Sequence, residues 1–297
     1  MSATEATSAA VGSHPLLAMA AHPAHAAIAA PSSFWMSWNF EPGLVISLVV
    51  SAAVYAAGVQ RLWRSAGTGK GISRGQAGAF LAGWLALIAA LVSPVDTLSD
   101  SLLWVHMVQH ELLMVVAAPL MALSSPLVAG VWAFRLRAPH TFHAFGWLTA
   151  PAFVFLLHAF ALWTWHLPAL YDAALEHEGV HIAQHICFFS SACLFWWGML
   201  HGRYGRLGYG AAVIYMFATA MHSGVLGALL TVAPYPWYRD YLTTTGLWGY
   251  TPLQDQQVAG LIMWIPASIV FLVAGLAFLA AWLRESERRV RIWQTRA

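Results

Sequence analysis

Seven apolar runs, each close to 20 residues long, constrain the fold of this chain more than any other feature of its sequence. They lie near 43–62, 77–95, 101–123, 146–165, 180–200, 210–232 and 257–283. A helix needs about 20 apolar residues to cross a bilayer, because each residue adds about 1.5 Å. Only 9% of the residues are charged, against roughly 25% in soluble domains. The sequence therefore predicts an all-α polytopic membrane protein, a bundle of about seven transmembrane helices. We expect it to lie in the lipid bilayer and to bind no nucleic acid.

The basic residues predict the orientation of this bundle. Thirteen of the 14 Lys and Arg residues fall on one side of the predicted membrane, and only Arg239 falls on the other. Such an excess marks the cytoplasmic side, so the N-terminus is predicted outside and the C-terminus in the cytoplasm. The predicted domains are a flexible outer tail (1–42), the membrane domain (43–283) and a basic cytoplasmic tail (284–297). The apolar run 126–134 is too short to span and is predicted to be reentrant or interfacial.

Three histidines, His177, His181 and His185, stand at the start of the fifth apolar run. Residues four apart advance a helix by about 400°, so these side chains form one stripe with their rings about a turn apart. An imidazole that enters hydrocarbon needs a partner, which is usually a metal, a carboxylate or another polar helix. The stripe therefore indicates either a metal site or a polar contact between helices.

The third run carries a second stripe with the same spacing, formed by His106, His110 and Met114. We expect the two stripes to face each other across a metal site. Glu111 lies about 100° from His110 around the helix axis, so it is expected to pair with another span or to accept a hydrogen bond from a ligand imidazole. Hydrogen bonding between helices is the alternative explanation of both stripes.

Three other runs bring polar groups to the same side of the predicted membrane. His166 ends the fourth run at the outer interface, where it is either a ligand or an ordinary interfacial residue. His222 lies in the sixth run at about the depth of His110 and is predicted to be a ligand from a third helix. Asp255 opens the seventh run, where it either favours the helix dipole or orients a ligating histidine.

Two other functions would use the same residues. The segment His177-Glu178-Gly179-Val180-His181 matches the His-Glu-x-x-His signature of zinc metalloproteases. Gly179 weakens a helix there, and no third ligand is specified. A haem-binding electron carrier would need histidines on opposite faces of its haem, so two histidines one turn apart cannot bind the same iron. A haem held between histidines of different helices stays an alternative.

Five short segments, taken together and in order, resemble the CtaG family of seven-span cytochrome c oxidase assembly factors, the caa3-type group. They are HMVQH at 106–110, WHLPALYDAAL at 165–175, HIAQH at 181–185, FWW at 195–197 and DQQ at 255–257. The family pattern corresponds to His106, His110, His166, His181, His185, Asp255 and Gln256.

This resemblance implies a non-enzymatic role in the assembly of haem-copper oxidase, in the inner membrane of a bacterial cell. It implies copper at an outward-facing histidine site, with oxidase subunits and a copper donor as partners. Imidazole suits several transition metals, and the Met114 thioether favours Cu(I). A metal-free assembly scaffold, in which the histidines only join helices, is the remaining alternative.

Overall fold

The computed structural model describes residues 34–136, 150–201 and 209–295, and within these ranges the chain forms helices and no strand. The helices are α1 (Pro42–Ala66), α2 (Arg74–Leu91), α3 (Pro94–Ser99), α4 (Leu103–Glu111), α5 (Ala118–Leu123), α6 (Pro126–Phe134), α7 (Pro151–Trp165), α8 (Pro168–Glu176), α9 (Glu178–His201), α10 (Tyr209–Val232), α11 (Tyr241–Thr244) and α12 (Pro252–Gln294). Short 3₁₀ turns occupy Phe34–Met36 and Thr245–Trp248. The predicted all-α class is confirmed.

Five helices in the described ranges are long and apolar enough to cross a membrane. They are α1, α2, the continuous helix Leu103–Leu123, α10 and α12. The pair α7 and α8, which bends by 72° between them, makes a sixth candidate. Helix α9 is 24 residues long and corresponds to the fifth predicted span, 180–200. It is not among the candidates above, and its first turns are rich in histidine. The chain is thus a polytopic helical bundle, while the count of seven spans and the orientation stay predictions.

A π-helical segment, Leu112–Ala117, joins α4 to α5. Pro119 follows it, and a proline inside a helix removes one backbone hydrogen bond and crowds the carbonyl four residues before it. Widening the preceding turn relieves that crowding, and such π segments are frequent at functional sites. The segment lies directly after the predicted histidine stripe of α4.

The helices arrange the bundle with two chemically different ends. At the histidine end, α4 and α9 begin and α7 ends, and α3, α8 and α11 lie among these termini. At the basic end, α1 ends, α2 begins and α6 packs along the C-terminal half of α1. The short apolar run 126–134 is this helix α6. The basic residues Arg137, Arg203, Arg206 and Arg296 lie outside the described residues.

Helices α10 and α12 approach each other closely because both carry glycine at the crossing. A Cβ on Gly260 would lie 2.5 Å from the Gly227 carbonyl oxygen, and a Cβ on Gly227 would lie 2.8 Å from the Gly260 carbonyl oxygen. Small residues allow such backbone contact in membrane helices. This contact fixes the first turns of α12 beside α4, where they bear on the histidine end.

Both predicted tails contain residues with a defined structure. Within the predicted flexible tail, residues 34–41 are described, and Asn39 is held by its backbone N–H on the Val92 carbonyl (2.9 Å) and its side-chain amide on Asp96 (2.7 Å). Residues 1–33 lie outside the described residues. At the other terminus, α12 continues as a helix to Gln294, through most of the predicted basic tail.

Candidate metal centre

Five of the predicted site histidines come together at the histidine end of the bundle, and we call them the histidine cluster. Two come from the first turns of α4, one follows the last residue of α7, and two come from the first turns of α9; they are His106, His110, His166, His181 and His185. The spacing of four residues within α4 and within α9 puts each pair on one helix face. The prediction that the two stripes face each other agrees with this arrangement.

The rings of the histidine cluster are in contact. Ring centroids lie 4.4 Å apart for His106 and His110, 4.2 Å for His181 and His185, and 5.4 Å for His110 and His185. His166 lies 6.0 Å from His110 between the same centroids. Ring contacts do not satisfy the hydrogen-bonding capacity of buried imidazole nitrogens, whereas a bound metal would.

Three histidines offer nitrogens to one point. One nitrogen each from His106, His110 and His185 lies within 4.8 Å of the other two, so a single point exists within about 2.8 Å of all three. Zinc–imidazole bonds are about 2.0–2.1 Å long. Side-chain movements of less than about 1 Å would therefore bring three imidazoles onto one ion. The donor set fits copper, zinc, nickel and iron, all of which imidazole binds.

The protonation of His106 is fixed by its neighbour Tyr241. The Tyr241 hydroxyl donates to the Ser99 carbonyl oxygen at 2.8 Å and lies 3.0 Å from His106 Nδ1. Burial raises the pKa of Tyr241 well above its usual range, so the hydroxyl keeps its single proton. The shorter of its two contacts assigns that proton to the Ser99 carbonyl, which can only accept. His106 Nδ1 must then donate to the Tyr241 oxygen. The lone pair of His106 is then on Nε2, where it is available to a metal.

His166 is held in the same tautomer by a backbone carbonyl. Its Nδ1 lies 2.7 Å from the Leu162 carbonyl oxygen, which can only accept, so Nδ1 carries the proton. His166 Nε2 is buried and makes no hydrogen bond within the described residues. Both nitrogens of His110 and Nε2 of His185 are also buried without such a bond. Buried nitrogens without a hydrogen bond require an explanation, and a bound metal would supply the missing partner.

A cap covers the histidine cluster, and it is formed by residues 233–250, which include α11. Tyr238 donates its hydroxyl to the His166 carbonyl oxygen at 3.0 Å, and its ring stacks on Tyr171 of α8 at 4.1 Å. Thr244 donates to the Ser101 carbonyl oxygen at 2.8 Å. Tyr171, Tyr238 and Tyr241 are all buried. The cap therefore lies over His106 and His166 and is joined to the ends of α3, α4 and α7.

Asp255 and Gln256, predicted to lie near the ligands, act on the elements that carry them. The Asp255 carboxylate accepts the backbone N–H groups of Leu103 (2.8 Å) and Trp104 (3.2 Å), which open α4. A carboxylate there satisfies N–H groups that have no partner within the helix and complements its dipole. Gln256 accepts the Trp237 N–H at 2.6 Å and donates to the Leu230 carbonyl oxygen at 3.2 Å, which fixes the start of the cap.

Met114 and Glu111 lie near the cluster in sequence but not in any recorded contact with it. Met114 is buried in the π segment, where its carbonyl oxygen accepts the Trp196 indole N–H at 3.1 Å. One carboxyl oxygen of Glu111 is buried and makes no hydrogen bond within the described residues. Ligation by Met114 and support of a ligand imidazole by Glu111 stay predictions.

His222 is not brought together with the cluster. Its ring packs edge-on against Phe155 of α7, with centroids 5.5 Å apart, and it lies near His158. Both nitrogens of His222 are buried without a hydrogen bond within the described residues. His158 Nδ1 is 3.2 Å from the Ser191 hydroxyl, which itself donates to the Phe188 carbonyl oxygen at 3.2 Å. These two histidines form a separate pair farther along α7 and α10.

His177 also departs from the predicted stripe. Helix α9 begins at Glu178, and His177 adopts an extended conformation (φ −131°, ψ 111°) between α8 and α9. Both residues are exposed, whereas His181 faces the cluster. The two histidines of the His-Glu-x-x-His segment therefore do not share a helix, as the zinc-protease signature requires.

Tyr171 and Tyr241 are the site residues that the sequence did not single out. The aromatic content of 233–250 is visible in the sequence and suggests a lid at the membrane interface. Nothing in local periodicity shows that Tyr241 reaches a histidine 135 positions earlier in the chain. Only the packing of the helix termini brings the two residues together.

Comparisons with known proteins add three findings. A family model described as cytochrome c oxidase caa3 assembly factor (Caa3_CtaG) matches residues 53–285. The uncharacterized protein ML1998 of Mycobacterium leprae is 24% identical over 86% of this chain and 41% of its own length. The uncharacterized protein Mb0105 of Mycobacterium bovis is 24% identical over 84% of this chain and 40% of its own length. The chain thus spans about two-fifths of these relatives, and no solved structure matches it.

Proposed function

Since the chain belongs to the Caa3_CtaG family of cytochrome c oxidase assembly factors, we propose that it binds copper at the histidine cluster and delivers it to the oxidase during assembly. The observation that carries the proposal is the convergence of nitrogens from His106, His110 and His185 within 4.8 Å. Copper is the cargo here, because a haem-copper oxidase needs it and imidazoles bind it well.

Each part of the site has a role in holding such a cargo. The imidazoles of α4 and α9 would bind the ion, with His166 and His181 beside them to accept it as ligands change. Tyr241 and the Leu162 carbonyl hold His106 and His166 with their Nε2 lone pairs available. Neutral ligands leave the full charge of the ion uncompensated, which favours release to a site with anionic or additional ligands.

Entry and release would require the cap to move. The cap is joined to the bundle by the buried rings of Tyr238 and Tyr241 and by hydrogen bonds such as the Arg239 N–H to Asp172 (3.2 Å). Local opening of such a segment costs less than unfolding the bundle. We place the histidine end on the outer side of the membrane, because the basic end carries the excess of Arg and Lys. An oxidase subunit or a copper donor would then meet the cap from that side.

The test compares two double variants, one within the first turns of α9 and one at its exposed start. We expect the parent, purified in detergent and loaded with copper, to retain copper in elemental analysis and the variant His181→Ala/His185→Ala to lose it. The variant His177→Ala/Glu178→Gln, with two changes at the exposed start of α9, should retain copper like the parent. Loss of any peptidase activity in this second variant would instead favour the zinc protease.

The same variants separate delivery from a metal-free scaffold. In cells that depend on this chain, the oxidase should contain less copper with His181→Ala/His185→Ala and a normal amount with His177→Ala/Glu178→Gln. Negligible copper in the purified parent, together with normal oxidase in both strains, would overturn the proposal. A Soret absorption band in the purified parent would instead indicate haem.

A further inference from the structure

A groove at the basic end of the bundle is independent of the histidine cluster. It opens between the C-terminal turns of α1 and α6 and has a volume of about 650 Å³. Three arginines line it, Arg61 and Arg64 from α1 and Arg135 directly after α6, together with an apolar floor. The floor is formed by Val131, Trp132 and Leu136.

Close packing of α1 on α6 forms the groove. A Cβ on Gly58 would lie 2.0 Å from the Ala129 carbonyl oxygen, so only glycine allows this approach. One turn later, the Arg61 guanidinium donates to the Ala133 carbonyl oxygen. Arg61 and Arg64 are three residues apart and therefore lie on the same face of α1. The groove is thus built into the contact between the two helices.

The end of α6 brings the third arginine to the groove. Arg135 has φ 53°, a left-handed conformation that is disfavoured for any residue with a Cβ. Its backbone N–H is bonded to the Val131 carbonyl oxygen, and so is that of Leu136 at 3.0 Å. Glycine usually occupies such a helix end, so the arginine is placed here at a conformational cost.

No carboxylate within the described ranges forms an ion pair with the three guanidinium groups. Among the residues that the structure describes, the ion pairs join Glu285 and Glu287 to arginines of α12, and none involves Arg61, Arg64 or Arg135. Glu285 and Glu287 are the acidic residues that the sequence places at the basic end. A cationic groove without a protein counter-ion selects an anionic ligand.

We propose that this groove binds the headgroup of an anionic phospholipid. Guanidinium groups bind phosphate oxygens in pairs, and three of them converge on one opening. The apolar floor next to them suits the first carbons of acyl chains. Helix α1 is long and apolar enough to cross the membrane, and Arg61 and Arg64 lie near its end. Basic pockets between membrane helices on the cytoplasmic side recognise such headgroups. A free phosphate would use the arginines but not the floor.

Native mass spectrometry of the detergent-purified parent tests the proposal, with phosphatidylglycerol and phosphatidylcholine as the added lipids. We expect phosphatidylglycerol to bind at least about tenfold more tightly than phosphatidylcholine, and the variant Arg61→Gln/Arg64→Gln/Arg135→Gln to lose that preference. The matched control is Arg288→Gln/Arg289→Gln/Arg291→Gln, which removes the same charge from exposed positions of α12 and should keep it.

Two outcomes would overturn the proposal. Equal loss in both triple variants would mean that only the net charge of the basic end attracts the lipid. Displacement of phosphatidylglycerol by excess inorganic phosphate, with no dependence on the acyl chains, would mean a site for free phosphate. Because Arg61 also joins α1 to α6, the double variant Arg64→Gln/Arg135→Gln repeats the test with that hydrogen bond intact, and a parent-like thermal melt confirms its fold.

Discussion

The bundle buries histidines in two regions, and they differ in what their nitrogens do. In the histidine cluster, His106 and His166 use Nδ1 for fixed neighbours and leave Nε2 to face other imidazoles. In the pair formed by His158 and His222, His158 is bonded to Ser191 of α9. His222 packs on an aromatic ring, and its two nitrogens are buried without a hydrogen bond within the described residues. In the first region one nitrogen from each of three imidazoles meets at one point, whereas in the second His158 uses its Nδ1 to join α7 to α9. The same residue type in the same bundle thus serves binding or packing according to where its ring nitrogens converge.

The comparison is tested most strongly by removing one imidazole from each region. We expect His185→Ala to weaken copper binding by more than about 100-fold, because it removes one of the three nitrogens that meet at one point, and even supporting residues of metal sites cost 10–100-fold. His158→Ala should leave the affinity near that of the parent. Competition of the purified proteins with a copper chelator measures both. Equal losses in the two variants would remove the distinction between the regions.

A smaller loss is expected when the tautomer of a ligand is no longer fixed. Tyr241→Phe keeps the buried ring but removes the oxygen that accepts from His106 Nδ1, so we expect copper affinity to fall by about tenfold. Tyr235→Phe is the matched control, because Tyr235 belongs to the same cap and is exposed. If Tyr241→Phe binds copper like the parent while its thermal stability falls, the hydroxyl only anchors the cap.

Asp255 should affect copper through the position of α4. Asp255→Asn keeps one acceptor for the N–H groups of Leu103 and Trp104 but loses the charge that complements the helix dipole. We expect a loss of about 1 kcal/mol in stability and a fall of a few-fold in copper affinity. Hydrogen exchange should become faster at the Leu103 and Trp104 amides in particular. Unchanged exchange there, with copper binding lost, would mean that Asp255 acts on the metal by another route.

The sequence predicts the cluster better than its surroundings. The spacing of the histidines is local, whereas the surrounding contacts join segments that are far apart in the chain. The spacing of His106 with His110 and of His181 with His185 is local, and helical geometry alone puts each pair on one face. The same rule extends the stripe to His177, and there it is wrong, because α9 begins one residue later. Depth in the membrane suggested His222, but depth does not specify which face of α10 turns toward the cluster.

Helical spacing and depth in the membrane do not predict contacts between distant segments. Asp255 was expected to have a structural role at the start of its own helix or to orient an imidazole, and it caps a different helix, α4. Tyr241 reaches His106 only because the cap folds back over the termini of α3 and α4. Both contacts depend on the order in which helices pack, which neither periodicity nor composition specifies. The seven-run pattern was sufficient for the bundle, and the packing was needed for the site.

The smallest effect is expected at His222, where the sequence and the geometry lead to different predictions. Its depth predicts a ligand, whereas its contact with Phe155 and its proximity to His158 place it in the second region. We expect His222→Ala to change copper affinity by less than about twofold, since no cluster imidazole loses a neighbour. The measurement is the same chelator competition, with His110→Ala as the comparison at similar predicted depth. A tenfold loss in His222→Ala would connect the two regions and indicate that copper passes from the cluster toward the His158–His222 pair.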